Sequence, residues 1–201
     1  MSKEKRFLVI GAHPDNAGYH IDSGIKLAER RLKETKKVVK RSGIEGYSVL
    51  NHHDGELIPS IENRKEIASI IRGFRPDFVI THRTYDYPDH RATAQLVQDS
   101  AYLVMVPLFC PESPVPAKEP IYLFSYDSFK RPYPFLPDLV VNIDDVVQVK
   151  LEMMDSYESQ FYEWLPHIDG IITPVPENLE EKLQWLVGNY LGRYTEQALL
   201  V

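Results

Sequence analysis

Apolar positions along the chain follow two alternating periods, and this alternation predicts the fold class. Short runs rich in β-branched and aromatic residues are separated by longer runs in which apolar residues recur every three or four positions. One longer run carries Ile25, Ala28, Leu32 and Val39 on such a spacing and ends at Gly43, a residue type common just after helices. Strands that alternate with helices are typical of α/β domains with a mainly parallel sheet.

These periods predict five strands and five helices. The strands are Phe7–Ile10, Tyr47–Leu50, Asp77–Thr81, Ile121–Ser125 and Leu139–Ile143. The helices are Ser23–Ser42, Glu62–Phe74, Thr93–Val104, Asp144–Phe161 and Leu179–Tyr190. The stretch Pro107–Pro137 is rich in proline and is expected to be an irregular excursion that contains one strand. We therefore expect a single domain over residues 1–201.

Composition excludes several classes of protein. A formal net charge of −6 argues against a nucleic-acid-binding surface, which needs clustered lysine and arginine. Cys110 is the single cysteine, so a disulfide framework and a cysteine zinc knuckle are both excluded. The first residues lack an apolar signal core, and no apolar run is long enough to span a membrane. We expect a cytoplasmic protein without nucleic-acid or membrane partners, and a homo-oligomer is compatible with the sequence.

Chemistry-bearing side chains concentrate in two loops that follow predicted strands. Ligands of open parallel sheets bind beyond the carboxyl ends of the strands, so these loops are expected to share one edge. The first loop is Gly11–His20, and the second reads THRTYDYPDHRAT from Thr81 to Thr93. Histidine and carboxylate are ligands of catalytic zinc, and a spare carboxylate serves as a general base. The side chains concerned are His13, Asp15, Asn16, His82, Asp86, Asp89 and His90.

A structural interpretation competes with the metal hypothesis. Asp and Asn cap helices and His-Pro stiffens a turn, so either loop alone is more typical of a cap or turn than of a metal site. Two such loops after two strands favour metal binding. The sequence lacks a glycine-rich nucleotide-binding loop. Dinucleotide binding is therefore the least favoured of the functions considered for these loops.

At these loops the chain resembles the PIG-L/LmbE-like deacetylases, zinc enzymes that remove an acetyl group from N-acetylated amino sugars. The family pattern A-H-P-D-D corresponds to the residues from Ala12 to Asn16, and H-P-D-H corresponds to the residues from Tyr87 to His90. The resemblance continues in order through HDGELIPSIENR (53–64), FRPDFVITHR (74–83), FKRPYPFLPDLVVNIDDV (129–146) and SQFYEWLP (159–166). It implies a Rossmann-like three-layer fold, with a mainly parallel sheet and helices on both faces.

The resemblance also implies a site. It makes His13 and His90 ligands of Zn²⁺ or another divalent cation, and it makes Asp15 the base that takes a proton from the attacking water. Asn16 stands where the family has a third, carboxylate ligand, and an amide oxygen is a poorer zinc ligand. Tyr87 stands at or beside the position of a family histidine, where its hydroxyl could donate to the oxyanion.

Further roles are expected outside the ligand set. Asp89 is the nearest alternative base, and Arg30, Asp54 and Tyr85 are expected to contact the substrate. Simpler interpretations remain for two of them: Arg30 as a solvated helix charge and Asp54 as a turn residue before Gly55. By comparison with the family, about two dozen residues are absent between Ile25–Glu29 and Arg30–Thr35, enough for a strand and a loop.

Two functions follow from these residues. The first is a metal-dependent deacetylase that hydrolyses the N-acetyl amide of an amino sugar or its conjugate. The second is a catalytically weak or inactive sugar-binding protein of the same fold, which the Asn16 and Tyr87 departures favour. Metal content separates the two, because only the enzyme needs the cation.

Overall fold

A computed structural model of the chain describes residues 4–12 and 21–192, and it describes the side chains of the first helix from residue 27 onward. The strands are β1 (Phe7–Val9), β2 (Phe78–Thr81) and β3 (Ile121–Phe124). The helices are α1 (Ile21–Ser42), α2 (Ile61–Phe74), α3 (Pro88–Leu103), α4 (Val147–Ser156), α5 (Leu165–Asp169) and α6 (Leu179–Leu186). They fall into two compact units, one with the strands, α2 and α3, the other with α1 and α4 to α6.

The first unit is built on a parallel sheet flanked by helices. β2 lies between β1 and β3 and pairs in parallel with both, Val79 lying opposite Leu8 and Tyr122. The central position of β2 explains why Val79 is fully buried. The carboxyl ends are tied together, since the Thr81 hydroxyl donates to the Ile10 carbonyl at 2.9 Å and Ser125 N donates to the Thr81 carbonyl at 2.8 Å. This edge of the sheet is therefore a fixed base for the loops that leave it.

Helices α2 and α3 pack against each other in this unit. The Ser60 hydroxyl caps α2 by accepting from Asn63 N at 3.2 Å, and Pro88 stands in the first turn of α3, where no backbone donor is needed. The apolar faces of the two helices are buried at Ile67, Ala68, Ile71, Ala94, Leu96 and Val97. A buried arginine, Arg72 of α2, also donates to the carbonyls of Leu103 and Val104 at the end of α3. The axis of α3 is thus fixed at its C-terminal end.

The second unit is helical. Its core consists of Leu151 and Met154 of α4, Leu186 of α6, and Tyr190 from a π-helical turn over Val187–Leu191. Helix α1 packs against α4, and the buried Glu34 carboxylate of α1 accepts from the Ser159 hydroxyl at 2.6 Å. Ser159 begins a second π-helical turn, Ser159–Trp164. α1 runs without a break through residues 25–35, the point at which the sequence is shorter than the family pattern.

Two of the five predicted strands are wrong. Within the described residues, neither Tyr47–Leu50 nor Leu139–Ile143 forms a strand, and Val49, Leu139 and Val141 are exposed. A β-rich run becomes a strand only where a neighbour accepts its backbone hydrogen bonds, and residues 4–12 and 21–192 contain no strand that pairs with either run.

The predicted helices form with shifted limits. The predicted helix Thr93–Val104 begins five residues earlier, at Pro88, which places the whole PDH triplet inside α3. The predicted helix Asp144–Phe161 is divided into a 3-10 turn, α4 and the start of the π-helical turn Ser159–Trp164. No described helix combines the length and the apolar content that a membrane crossing requires.

Candidate active site

The first turn of α3 brings a histidine and a carboxylate together. His90 Nδ1 lies 3.0 Å from Asp86 Oδ1, four residues earlier, as an ion-pair contact that is not aligned as a hydrogen bond. The same carboxylate oxygen accepts from Tyr87 N at 2.6 Å, and the Asp86 side chain is almost buried. A carboxylate beside Nδ1 favours a ring orientation that leaves Nε2 as the ligand nitrogen, and carboxylates are common beside metal-binding histidines. Asp86 is therefore suited to orient His90.

His82, at the end of β2, connects this turn to the loop after β1. Its ring stacks on that of His90 with centroids 4.1 Å apart and planes 10° from parallel. His82 Nε2 accepts a hydrogen bond from Ala12 N at 3.0 Å. The acceptor must be unprotonated, so this contact assigns the proton of a neutral ring to Nδ1. His82 thus holds the backbone that directly precedes His13.

The three side chains form a candidate cation cluster. Ligand atoms of His82, Asp86 and His90 all lie within 4.8 Å of one another. The donor types fit zinc and other divalent ions. Two stacked imidazoles hold their lone pairs in nearly parallel planes, however, and His82 Nε2 already accepts a hydrogen bond from Ala12 N. The geometry therefore suits His90 as a ligand, Asp86 as its orienting partner and His82 as a support for the neighbouring loop.

Asp89 lies beside His90 and is buried in the first turn of α3. Its Oδ2 accepts from Gly55 N at 2.6 Å, while Oδ1 is buried and has no hydrogen-bond partner among the described residues. Gly55 has a φ of 78°, in the left-handed region that glycine occupies without strain. Asp54 precedes it in the turn, as the simpler interpretation expected, and the contact from Gly55 to Asp89 places Asp54 near the start of α3.

Tyr87 and Tyr85 are exposed beside the same turn. Tyr87 is the N-cap residue of α3, and its ring makes edge-on contacts with His90, at a centroid distance of 5.8 Å, and with Phe129, at 5.4 Å. The Tyr85 ring meets Tyr133 edge-on at 5.6 Å. A hydrogen bond with Tyr133 raises the pKa of Tyr85 above its ordinary value. The Tyr85 and Tyr133 hydroxyls are therefore partners of each other.

Arg30 lies on α1 in the helical unit. Its guanidinium donates to both carboxylate oxygens of Glu163, at 2.9 and 2.7 Å, and forms an ion pair with Glu34 at 3.0 Å. The hydrogen bond to Glu163 is the main reason why the pKa of Arg30 is raised. A substrate contact by Arg30 stays a prediction, and it would compete with these carboxylates.

Three predicted residues, His13, Asp15 and Asn16, lie outside the described residues. The sequence had placed His82 and Asp86 at this edge without assigning them roles. It missed the pair formed by Arg83 Nε and Asp127 Oδ2, which lie 3.1 Å apart beside the site. The position of Asp127 is a signal that could have identified it. Asp127 lies three residues after the end of β3, and the two loops that the sequence singled out also directly follow strands.

Comparisons with known proteins identify relatives of this chain. The sequence pattern of the PIG-L family, described as GlcNAc-PI de-N-acetylase, matches residues 13–101. A diacetylchitobiose deacetylase of Thermococcus kodakarensis is 31% identical over 158 residues, which are 74% of this chain and 58% of that protein. The chain therefore spans a little over half the length of this curated relative.

Solved structures with the same fold include three from different organisms. The N,N'-diacetylchitobiose deacetylase of Pyrococcus horikoshii, in complex with an inhibitor, matches with a TM-score of 0.63 and 26% identity over 82% of this chain and 65% of that one. A conserved protein of Thermus thermophilus matches with a TM-score of 0.60 and 22% identity, over 83% and 84% of the two chains. GalB, the 4-carboxy-2-hydroxymuconate hydratase of Pseudomonas putida, has a TM-score of 0.60 and 18% identity, over 81% and 79%. The last two show the fold alone.

Proposed function

We propose that this chain, which belongs to the PIG-L/LmbE-like family of N-acetyl sugar deacetylases, is a metal-dependent hydrolase of the N-acetyl amide of an amino sugar or its conjugate. The observation that carries the proposal is the first turn of α3, where the Asp86 carboxylate lies 3.0 Å from Nδ1 of His90. Relatives named as diacetylchitobiose deacetylases support an N-acetylated sugar as substrate. Among the described residues, nothing favours the inactive sugar-binding alternative over this reaction.

The metal would be held by His90 together with His13 and Asn16, and zinc is the proposed ion. His90 beside a carboxylate fits this use, as does a set of nitrogen and oxygen donors. When bound, a divalent cation supplies Lewis acidity that polarises the amide carbonyl and acidifies water. His82 supports the arrangement by holding Ala12, the neighbour of His13.

The protein's own groups would move the protons. Asp15 takes a proton from the attacking water and returns it to the leaving amine, and the buried Asp89 is the alternative carboxylate for this role. The Tyr87 hydroxyl donates to the oxyanion of the tetrahedral intermediate. Tyr85, Asp54 and Arg30 are the proposed contacts to the sugar. The Tyr85 hydroxyl would make this contact while it also hydrogen-bonds with Tyr133.

The remaining proposals concern the whole protein. We propose that the two compact units act together as one domain, that the protein works in the cytoplasm, and that it binds neither nucleic acid nor membranes. A single buried cysteine, Cys110, is compatible with a reducing compartment, and the acidic net charge disfavours nucleic acid. A homo-oligomer is compatible with these proposals.

The test combines metal analysis with an assay. Protein purified without chelator is analysed for bound metal and for amine release from N-acetylglucosamine and N,N'-diacetylchitobiose. Asp15→Asn is expected to keep its metal and to lose activity by roughly 10²–10⁴-fold, the usual contribution of a positioned acid or base. Asp145→Asn, the same change at an exposed carboxylate, is the matched control and is expected to retain activity.

Two results would change the proposal. If Asp15→Asn loses the metal together with the activity, Asp15 is a ligand and Asp89 takes the role of base. If the wild-type protein, supplied with zinc, releases no amine from either sugar, the deacetylase proposal is wrong and the sugar-binding alternative replaces it.

A further inference from the structure

The Tyr87 side chain is largely exposed at the candidate site. It is 66% exposed, and although Tyr87 is the N-cap residue of α3, its side chain makes no capping hydrogen bond to the helix. An exposed tyrosine ring can turn about two side-chain bonds and so take several orientations. The proposed role of the hydroxyl requires one orientation, because an oxyanion donor acts only at hydrogen-bond distance from the developing charge. A contact that holds the ring would therefore contribute to the reaction.

Among the described residues, two other rings contact that of Tyr87. His90 meets it edge-on at a centroid distance of 5.8 Å, and Phe129 meets it edge-on at 5.4 Å. His90 is the proposed metal ligand, so its ring already has a role. Phe129 is half-buried and carries no group that could take part in the reaction. An edge-on aromatic pair favours one ring orientation by a factor of roughly two to ten. Phe129 is thus the contact that can orient Tyr87.

A buried ion pair holds the segment that carries Phe129. Residues 125–135 form neither helix nor strand, so other contacts must fix them. Phe129 N donates to Asp127 Oδ1 at 2.9 Å, and Asp127 Oδ2 lies 3.1 Å from Arg83 Nε, with both side chains almost buried. Arg83 also donates to the Tyr133 carbonyl at 2.9 Å. Because Arg83 follows β2 by two residues, these contacts attach the segment after β3 to the end of β2.

We infer that Phe129 is a positioning residue for Tyr87, and that the ion pair of Arg83 and Asp127 fixes Phe129 in this role. The inference rests on the proposed function, in which the Tyr87 hydroxyl donates to the oxyanion. Phe129 acts through the Tyr87 ring rather than on the substrate. A buried ion pair is a firm anchor for an irregular segment, because moving either charge away leaves the other unpaired where water reaches it poorly.

The experiment compares Phe129→Ala with Phe109→Ala. Phe109 is a half-buried phenylalanine of the same unit whose ring centre lies 5.9 Å from the Lys65 ammonium, so it controls for the loss of a ring elsewhere. Bound metal and amine release from N,N'-diacetylchitobiose are measured. Phe129→Ala is expected to keep its metal and its KM and to lose kcat about tenfold, because a misplaced donor weakens only the transition state. Phe129→Tyr, which keeps the ring, is expected to restore most of kcat.

Double variants separate positioning from a general effect on the fold. In Tyr87→Phe the hydroxyl is already absent, so adding Phe129→Ala should cause no further loss of kcat. Asp127→Asn keeps an oxygen acceptor for Phe129 N but removes the charge that faces Arg83. It is expected to lower kcat in the same way, and again only when the Tyr87 hydroxyl is present. A loss from Phe129→Ala that is as large in the Tyr87→Phe protein as in the wild type would overturn the inference.

Fluorine NMR of protein labelled with 3-fluorotyrosine separates this inference from the proposed function. The Tyr87 resonance is the one missing from Tyr87→Phe, and it should move in Asp127→Asn, which keeps both rings, but not in Phe109→Ala. If the wild-type protein releases no amine but the resonance moves in this way, the deacetylase proposal fails and the positioning of Tyr87 stands. If amine is released but the resonance does not move, or Phe129→Ala loses no more kcat than Phe109→Ala, the inference is wrong and the deacetylase stands.

Discussion

Replacing Arg72 by methionine would test how the buried arginine of α2 supports the helix that carries His90. Arg72 is fully buried, and the five N–H groups of its guanidinium are all used as donors to backbone carbonyls at 2.6 to 3.1 Å. The acceptors are the carbonyls of Leu103, Val104, Val106, Cys110 and Ser113. These carbonyls belong to the C-terminal end of α3 and to the segment that follows it. The Arg72 side chain therefore connects α2 to both of these parts of the first unit.

The expected loss in the free energy of unfolding follows from these contacts. Methionine keeps much of the apolar stem but donates no hydrogen bond, so all five carbonyls lose a charged donor. A hydrogen bond contributes about 1 kcal/mol net, and more when the donor is charged. The contributions are not additive, because water reaches some of the carbonyls and the chain relaxes. We therefore expect the free energy of unfolding to fall by about 3–5 kcal/mol, the upper range for a single substitution.

Urea unfolding measures this loss, with Arg64→Met as the control. Arg64 lies on the same helix, is partly exposed, and pairs with Asp99, an arrangement worth about 0–1 kcal/mol. Circular dichroism follows the helices of both units, whereas both tryptophans, Trp164 and Trp185, belong to the helical unit. The fluorescence transition should therefore shift with Arg72→Met only if the two units unfold together. A loss below about 1 kcal/mol by circular dichroism, equal to that of the control, would refute the role assigned to Arg72.

Three further predictions concern the site and the sheet. Asp86→Asn should lower metal affinity by about 10–100-fold, the usual effect of a group that orients a ligand, and His90→Ala should lower it further; equal effects in metal titrations would make Asp86 a ligand itself. Asn16→Asp should raise zinc affinity because it adds an anionic ligand, and equal zinc retention during dialysis against a weak chelator would argue against Asn16 as a ligand. Burial raises the pKa of Tyr122 in β3 from 10.0 to about 12, so its contribution to stability is present below pH 10 and should be lost as the pH rises towards 12. Tyr122→Phe should flatten unfolding curves across that interval, and an unchanged pH dependence would assign the loss to other groups.

The local part of the candidate site could be predicted from the sequence. Asp86 and His90 are four residues apart, and Pro88 starts a helix, so one turn is enough to bring the two side chains together. The histidine-containing loop after β2 was expected at the carboxyl edge of the sheet, and it lies there. Asp54 was harder to place, because its proximity to α3 depends on the bond from Gly55 to Asp89 across 34 residues.

The roles of His82 and Arg83 could not be read from their neighbours. His82 is identified as a support by a bond to Ala12, 70 residues away, and Arg83 by contacts with Asp127 and Tyr133. The local sequence does not indicate which nitrogen of His82 accepts a hydrogen bond or which carboxylate forms an ion pair with Arg83. Such pairings depend on strand register, which sets the relative positions of β1, β2 and β3.

The sequence by itself determined the order of the helices and of the three strands that form, the parallel α/β class and the position of the loop after β2, because hydrophobic period and turn residues act over a few residues. Only the tertiary structure decided which β-rich runs became strands. Phe78–Thr81 is paired on both sides, whereas Leu139–Ile143 is just as apolar and remains exposed. A strand takes its hydrogen bonds from another part of the chain, so its existence depends on a neighbour that local sequence does not specify.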